Sequence, residues 1–107
     1  MNVQRLSLIA TAAASLAFGG AAMAQDAAKL AQEKACMACH QIDKKVVGPS
    51  FKEIAARYAG QKDAEAKLAK KVREGGSGVW GQVPMPPNTT VTEKDALALV
   101  KWILAQK

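Results

Sequence analysis

The residues most capable of chemistry in this sequence form one short run, Cys36-Met37-Ala38-Cys39-His40. Two thiols at this spacing can form thioether bonds to the two vinyl groups on one edge of a haem. The adjacent histidine then lies beneath the ring, with its imidazole directed at the iron. The run therefore predicts covalent attachment of one haem c at Cys36 and Cys39, with His40 as an axial iron ligand.

Three other interpretations compete with haem attachment. A disulfide between Cys36 and Cys39 would resemble the Cys-x-x-Cys of thioredoxin-like proteins, but those proteins carry it in a βαβ unit that this sequence lacks. A zinc site needs four nitrogen, sulfur or oxygen ligands, and this sequence offers only two cysteines and one histidine. The third interpretation is a chance occurrence. The spacing favours haem over all three.

The sixth position of the iron is assigned to Met85 by elimination. Met1 and Met23 fall in the N-terminal segment discussed below, and Met37 lies inside the haem-binding turn. Met85 instead lies in a separate loop between two prolines, which restrict its backbone. A histidine and methionine ligand pair favours electron transfer and raises the reduction potential relative to two nitrogen ligands. The alternative is that Met85 is an ordinary core residue.

Three further residues are expected to support these ligands. A ligating histidine usually donates its second ring N–H to a carbonyl, and the carbonyl of Pro49 follows His40 closely in sequence. Trp80 offers an N–H suited to a haem propionate and a ring suited to packing on the haem, with plain core packing as an alternative. Asn88 is expected to donate toward the sulfur of Met85.

The first 24 residues have the three-part pattern of a secretory signal peptide. A short positive start is followed by an uncharged apolar run and by small residues ending in Ala22-Met23-Ala24. This pattern predicts cleavage after Ala24, a mature domain of residues 25–107 and a periplasmic location. An uncleaved membrane anchor is the alternative, because the uncharged stretch approaches the ~20 residues that span a bilayer. No membrane insertion is expected after cleavage.

Size and charge constrain the remaining chain. Loss of Arg5 with the signal peptide lowers the formal net charge of the 107-residue chain from +6 to +5. A chain of about 83 residues buries a small core and usually needs a metal, a disulfide or a cofactor. Nucleic-acid binding is disfavoured, because the lysines alternate with acidic residues and no nucleic-acid motif is present. We expect some lysines to steer an acidic partner instead.

Four helical patterns position these residues, and no strand is predicted. They begin after Asp26, Ser50, Asp63 and Thr92, and the first three end near Lys34, Gly60 and Gly75. The last helix carries one apolar stripe, formed by Ala96, Leu97, Val100, Ile103 and Leu104. The stretches 41–49 and 75–91 hold all four prolines and are predicted to be loops.

Several motifs taken together resemble those of the small bacterial class I cytochromes c, the cytochrome c-551 type. They are the haem-binding run, Val47-Gly48-Pro49, Gly78-Val79-Trp80-Gly81, Pro84-Met85-Pro86-Pro87-Asn88 and the final helix with Trp102. The resemblance implies an all-α cytochrome c fold of about four helices around the haem, with the first and last helices crossing. It also implies His40 and Met85 on opposite sides of the iron, Pro49 accepting from His40, Trp80 near a propionate and Asn88 close to Met85.

The resemblance also implies a function. Such proteins are soluble, monomeric carriers of single electrons from a quinol-oxidising complex to a terminal reductase or oxidase, often nitrite reductase. The alternative is a haem enzyme or ligand sensor on the same fold, which would need Met85 to be labile. One departure is Lys71, at a position where the family can hold an arginine near the haem propionates. Lysine lacks the planar fork of arginine, so the sequence leaves a propionate contact of Lys71 undecided.

The exposed haem edge is expected to be the docking surface for redox partners. Apolar residues should surround it, namely Met37, Val46, Val47, Val83, Pro84 and Pro86, with Lys44 and Lys45 nearby. A patch of this kind would give short-lived contacts, while the surrounding lysines would provide electrostatic steering.

Overall fold

The computed structural model describes residues 19–107, so most of the predicted signal peptide lies outside the described residues. The described chain is all-α, as predicted, and its β pairing is limited to two isolated bridges. A short 3-10 turn, Cys36–Ala38, follows the first helix. The four helices are α1 (Gly19–Glu33), α2 (Phe51–Tyr58), α3 (Ala64–Glu74) and α4 (Glu93–Leu104).

The ends of α2 and α4 follow the predicted local signals. The Ser50 side chain accepts a hydrogen bond from the backbone N–H of Glu53 at 3.1 Å, which satisfies one free donor at the start of α2. Thr92 caps α4 in the same way, accepting from the N–H of Asp95 at 3.2 Å. Gly60 follows α2 with a φ of 76°, a backbone conformation that glycine adopts without steric cost.

The start of α1 differs from the prediction. The sequence placed it at Asp26, whereas the helix begins at Gly19 and passes through Asp26. Three of the seven intervening residues are alanine, the strongest helix former, and none is proline, so the backbone hydrogen-bond pattern continues through them. Cleavage after Ala24 would leave Asp26 as the second residue of the mature chain.

The core is small and centres on α4, which packs against α1, α2 and α3. Six of the twelve buried apolar residues in the described part of the chain are alanines. Leu99 is among the largest fully buried side chains, although it is absent from the predicted stripe, and Leu97 and Leu104 on that stripe are only half-buried. The reason is that a helix contacted on three sides buries more than one stripe of residues. Within residues 19–107, no helix is long and apolar enough to cross a membrane.

Candidate haem site

One cavity of about 540 Å³ brings the predicted site together. All seven predicted site residues line it: Cys36, Cys39, His40, Pro49, Trp80, Met85 and Asn88. They come from three separate parts of the chain, so tertiary packing rather than sequence proximity assembles them. Much of the remaining wall is apolar and comes from α2, α3 and α4, for example Phe51, Ile54, Leu68, Val72, Leu99 and Val100. Apolar walls with a few convergent polar groups are typical of cofactor sites.

The His40 imidazole is held in one orientation. Its Nδ1 lies 2.7 Å from the carbonyl oxygen of Pro49, the contact that the sequence predicted. A carbonyl can only accept, so Nδ1 carries a hydrogen, and Nε2 is the ring nitrogen left to bind a metal in the neutral form. The ring of Phe51 stacks on the imidazole, with centroids 5.4 Å apart and planes 21° apart. The hydrogen bond and the stacking together fix both the tautomer and the plane of His40.

Gly48 permits this arrangement, a role that sequence reasoning missed. A Cβ atom added at Gly48 would lie 2.5 Å from Cε1 and 2.9 Å from Nδ1 of His40. Real Cβ atoms do not approach other atoms so closely, so the backbone can pass the imidazole only at a residue without a side chain. The Val47-Gly48-Pro49 motif therefore supplies both the space for the ring and the carbonyl that orients it.

We expect Gly48→Ala to displace the imidazole and to lower the free energy of unfolding of the haem-loaded protein by about 1–3 kcal/mol, as overpacking does. Denaturant unfolding measures the loss, and the haem absorbance spectrum reports the displaced ligand. Gly60→Ala is the control, because a Cβ atom there meets nothing within 4 Å and only the positive φ is unfavourable. An unchanged haem spectrum in Gly48→Ala would contradict the role given to Gly48.

The two cysteines lie in and after a tight turn that directs them to the same cavity. The N–H groups of Cys39 and His40 both donate to the carbonyl of Cys36, at 3.2 and 3.0 Å. Ala35, just before the turn, has a φ of 60°, which costs an alanine about 1–2 kcal/mol and reverses the chain after α1. The two cysteines are not joined by a disulfide, and burial raises the pKa of the Cys36 thiol above its ordinary value.

The Met85 loop is tied to the C-terminal end of α3. Met85 and Gly76 exchange two backbone hydrogen bonds, of 2.8 and 3.0 Å. A Cβ atom at Gly75 would collide with the carbonyl of Met85, so this close approach also depends on glycine. Two donors of Asn88, its backbone N–H and its side-chain amide, bond to the carbonyl of Val72 at 3.2 and 3.0 Å. The loop is thus anchored on both sides of Met85.

The side chain of Asn88 has a partner that the sequence did not predict. We expected its amide to donate toward the sulfur of Met85, whereas the amide nitrogen donates to the Val72 carbonyl. That nitrogen carries two hydrogens, so the bond to Val72 uses only one of them. A bond from the second hydrogen toward Met85 remains a prediction.

Trp80 and Met37 were both predicted to lie near the haem, and only the placement of Met37 is corrected. Trp80 lines the cavity, and its contact with a haem propionate remains a prediction. Met37 is half-buried and packs against the core cluster of α1, α3 and α4, away from the exposed patch where the sequence placed it. The wall of the 540 Å³ cavity includes Trp80 and excludes Met37.

The charges around the cavity suit an anionic cofactor edge. Lys45, Lys67 and Lys71 line it, against one carboxylate, Glu53. The amino group of Lys71 lies beside Gly76, where a Cβ atom would come within 2.7 Å of it. These cations could face the propionates of a haem, whereas the apolar walls match its ring. The paired thiols, the imidazole and the thioether complete a donor set that fits haem c.

Two other candidate sites, a zinc site and a second groove, do not have the residues of a metal or haem centre in the described part of the chain. No group of three or more His, Cys, Asp or Glu side chains among residues 19–107 is arranged to hold a metal ion, so the zinc hypothesis lacks a ligand set. A groove of about 620 Å³ between α3 and α4 contains neither cysteine, histidine nor methionine. The predicted haem ligands, His40 and Met85, both line the other cavity.

Comparison with known proteins identifies the family. The sequence model described as cytochrome c matches residues 24–107. The chain is 53% identical over 96 residues to cytochrome c-552 of Nitrosomonas europaea, covering 90% of this chain and 91% of that protein. It is 51% identical over 102 residues to cytochrome c-551 of Pseudomonas aeruginosa, covering 95% of this chain and 94% of that protein. The chain belongs to the cytochrome c family.

Solved structures agree with this assignment. The crystal structure of Nitrosomonas europaea cytochrome c552 is 56% identical, with a TM-score of 0.73, and the match covers 75% of this chain and 99% of that chain. The class 1 cytochrome MtoD of Sideroxydans lithotrophicus ES-1 is 35% identical, with a TM-score of 0.64, covering 77% and 94%. The all-α cytochrome c fold and the class I resemblance are confirmed. This cytochrome c binds one covalent haem c, and its function is electron transfer rather than catalysis.

Proposed function

We propose that this cytochrome c is a periplasmic carrier of single electrons, with Cys36 and Cys39 in thioether bonds to the haem and with His40 and Met85 as axial ligands. The observation that carries the proposal is the convergence of all four side chains on one cavity. When bound, the haem supplies the reversible one-electron chemistry. The chain supplies the attachment, the ligand geometry and the surroundings of the iron.

The chain restricts movement of both ligands. Pro49 and Phe51 hold the imidazole of His40, and the bonds from Gly76 hold the backbone of Met85. Fixed ligands need little rearrangement when the iron changes oxidation state, which suits rapid electron transfer. A held thioether also favours a higher reduction potential than a second nitrogen ligand would give.

We also propose that residues 1–24 are a signal peptide removed on export to the periplasm. The charged start, the apolar run and the Ala22-Met23-Ala24 site support this proposal. The family match, which begins at residue 24, supports a mature domain of residues 25–107.

Covalent attachment and processing have a direct test. The haem of the purified protein should stay with the polypeptide in acid acetone and under denaturing electrophoresis, because thioether bonds survive both treatments. Mass spectrometry should show a chain that begins at Gln25 and carries the mass of one haem. Haem that extracts freely would refute the attachment, and a retained Met1 would refute the cleavage.

The docking surface proposed for redox partners is an exposed apolar patch at the mouth of the cavity. We call it the valine patch, and its members are Val46, Val47, Val83, Pro84 and Pro86. Val46 and Val47 are each 52% exposed and Val83 is 67% exposed, although large apolar side chains are usually covered. Four of the five also line the cavity wall, so a partner seated there would lie close to the haem. We propose a quinol-oxidising complex as donor and a terminal reductase or oxidase, such as nitrite reductase, as acceptor.

Charge reversal beside the valine patch should slow docking. Lys44 and Lys45 are exposed next to Val46, so replacing both with glutamate should slow association with an acidic partner about tenfold at low salt, and flatten its salt dependence. Stopped-flow rates at several salt concentrations measure this. The control is Lys94→Glu with Lys101→Glu on α4, which changes the net charge equally away from the cavity. Equal slowing by both pairs would place the docking surface elsewhere.

A further inference from the structure

The loop that carries Trp80, residues 76–84, makes few hydrogen bonds within itself. Three glycines in it, Gly76, Gly78 and Gly81, have φ values of 134°, 103° and 115°, which only glycine adopts readily. The two ends of the loop meet at the bridge between Gly76 and Met85, and one internal hydrogen bond of 2.8 Å joins Gly78 to Gly81. The position of the Trp80 ring therefore depends on contacts from outside the loop.

Arg57 on α2 makes two such contacts at once. Its guanidinium carbon lies 4.4 Å from the centroid of the Trp80 ring, and its Nη1 donates to the carbonyl of Val79 at 3.0 Å. Among the hydrogen bonds of residues 19–107, this is the one side-chain bond that reaches residues 76–84 from outside them. A planar guanidinium can stack with its face while it donates with its edge, which an ammonium group cannot do.

Arg57 acts on the cavity through Trp80 rather than directly. Trp80 and Val79 line the cavity wall, whereas Arg57 is not part of that wall. We propose that Arg57 is a positioning residue, which holds the indole of Trp80 across the mouth of the haem cavity and limits the access of water. This inference rests on the proposed haem site. Water at the haem edge favours the more highly charged oxidised state, so a released indole should lower the reduction potential.

Nuclear magnetic resonance of the haem-loaded protein tests the proposal through the indole N–H groups. In Arg57→Gln, the order parameter of the Trp80 indole should fall from the rigid range of about 0.85 to below about 0.6. Trp102 is an internal control, because its ring packs edge-on against Phe51 at 5.4 Å and should keep its order. Arg73→Gln on α3 is the matched charge control, since Arg73 is also an exposed arginine.

Arg57→Lys separates geometry from charge. It keeps the positive charge but cannot stack and donate together, so Trp80 should lose order and the reduction potential should fall, as in Arg57→Gln. The proposal would be overturned if the Trp80 indole kept its order in Arg57→Lys or in Arg57→Gln. It would also be overturned if Trp80 and Trp102 lost order equally. A reduction potential that falls in both Arg57→Gln and Arg73→Gln, but not in Arg57→Lys, would also overturn the proposal. Loss of positive charge alone would then explain the fall. The optical charge-transfer band between the sulfur of Met85 and the iron, recorded on the oxidised protein, tests the proposed Met85 ligand separately in every variant.

Discussion

A chain in which Cys36 and Cys39 are both replaced by alanine should be largely unfolded when no haem is present. Without the cofactor, the core consists mainly of small side chains around a cavity of about 540 Å³. The haem would supply the buried apolar surface that these small side chains do not. A typical domain is stable by only about 5–15 kcal/mol, so loss of that surface should be enough to unfold the chain.

Far-ultraviolet circular dichroism and thermal melting of the double variant measure this effect. Haem added to the same variant is the control, because the proposed ligands His40 and Met85 are still present without the thioether bonds. Haem should then restore helix content, which would attribute the unfolding to the missing cofactor rather than to the missing thiols. A cooperative, native-like melt of the haem-free chain would show that the side chains alone suffice.

Replacing Met85 with alanine should open the sixth position of the iron to water and to added ligands. The oxidised protein should lose its sulfur-to-iron charge-transfer band. The reduction potential should fall by on the order of 0.1 V, within the roughly 0.8 V that axial ligands set. Optical spectra and voltammetry of the purified variant provide both measurements.

Met37→Ala is the matched control for this experiment. Met37 packs against the helical core and lies outside the cavity wall, so its loss should reduce stability while the band and the potential stay nearly unchanged. A charge-transfer band that survives in Met85→Ala would mean that another side chain supplies the sixth ligand.

Local signals in the sequence predicted residues that the fold brings to one cavity, and they predicted most helix boundaries. The haem-binding run is specific because its chemistry depends only on residue types and their spacing within five positions. Ser50 and Thr92 are equally local signals, because each caps a helix through a bond to the residue three positions later. The predicted start of α1 at Asp26 was wrong, because an alanine-rich stretch continues a helix as easily as it begins one. Local propensity alone cannot distinguish these two outcomes.

Contacts between distant segments were beyond such reasoning. The bond from Asn88 to Val72 and the stacking of Arg57 on Trp80 depend on how the helices pack, and no motif encodes either pair. Gly48 offered a partial signal, since a glycine just before a proline in a loop can mark a close backbone approach. Only the position of the His40 ring identifies what approaches it.

The two alanines at the contact of α1 with α4 limit how this protein can change by mutation. Ala31 and Ala96 belong to the same buried cluster and have no exposed surface, so an added branch at either would force the helices apart. Because α1 leads directly into the Cys36 turn, such a shift would also move the thiols relative to the cavity wall that α4 provides. Substitution at these two positions should therefore be confined to glycine and serine. Adaptation of the protein to higher temperature would have to begin on its surface and in its loops.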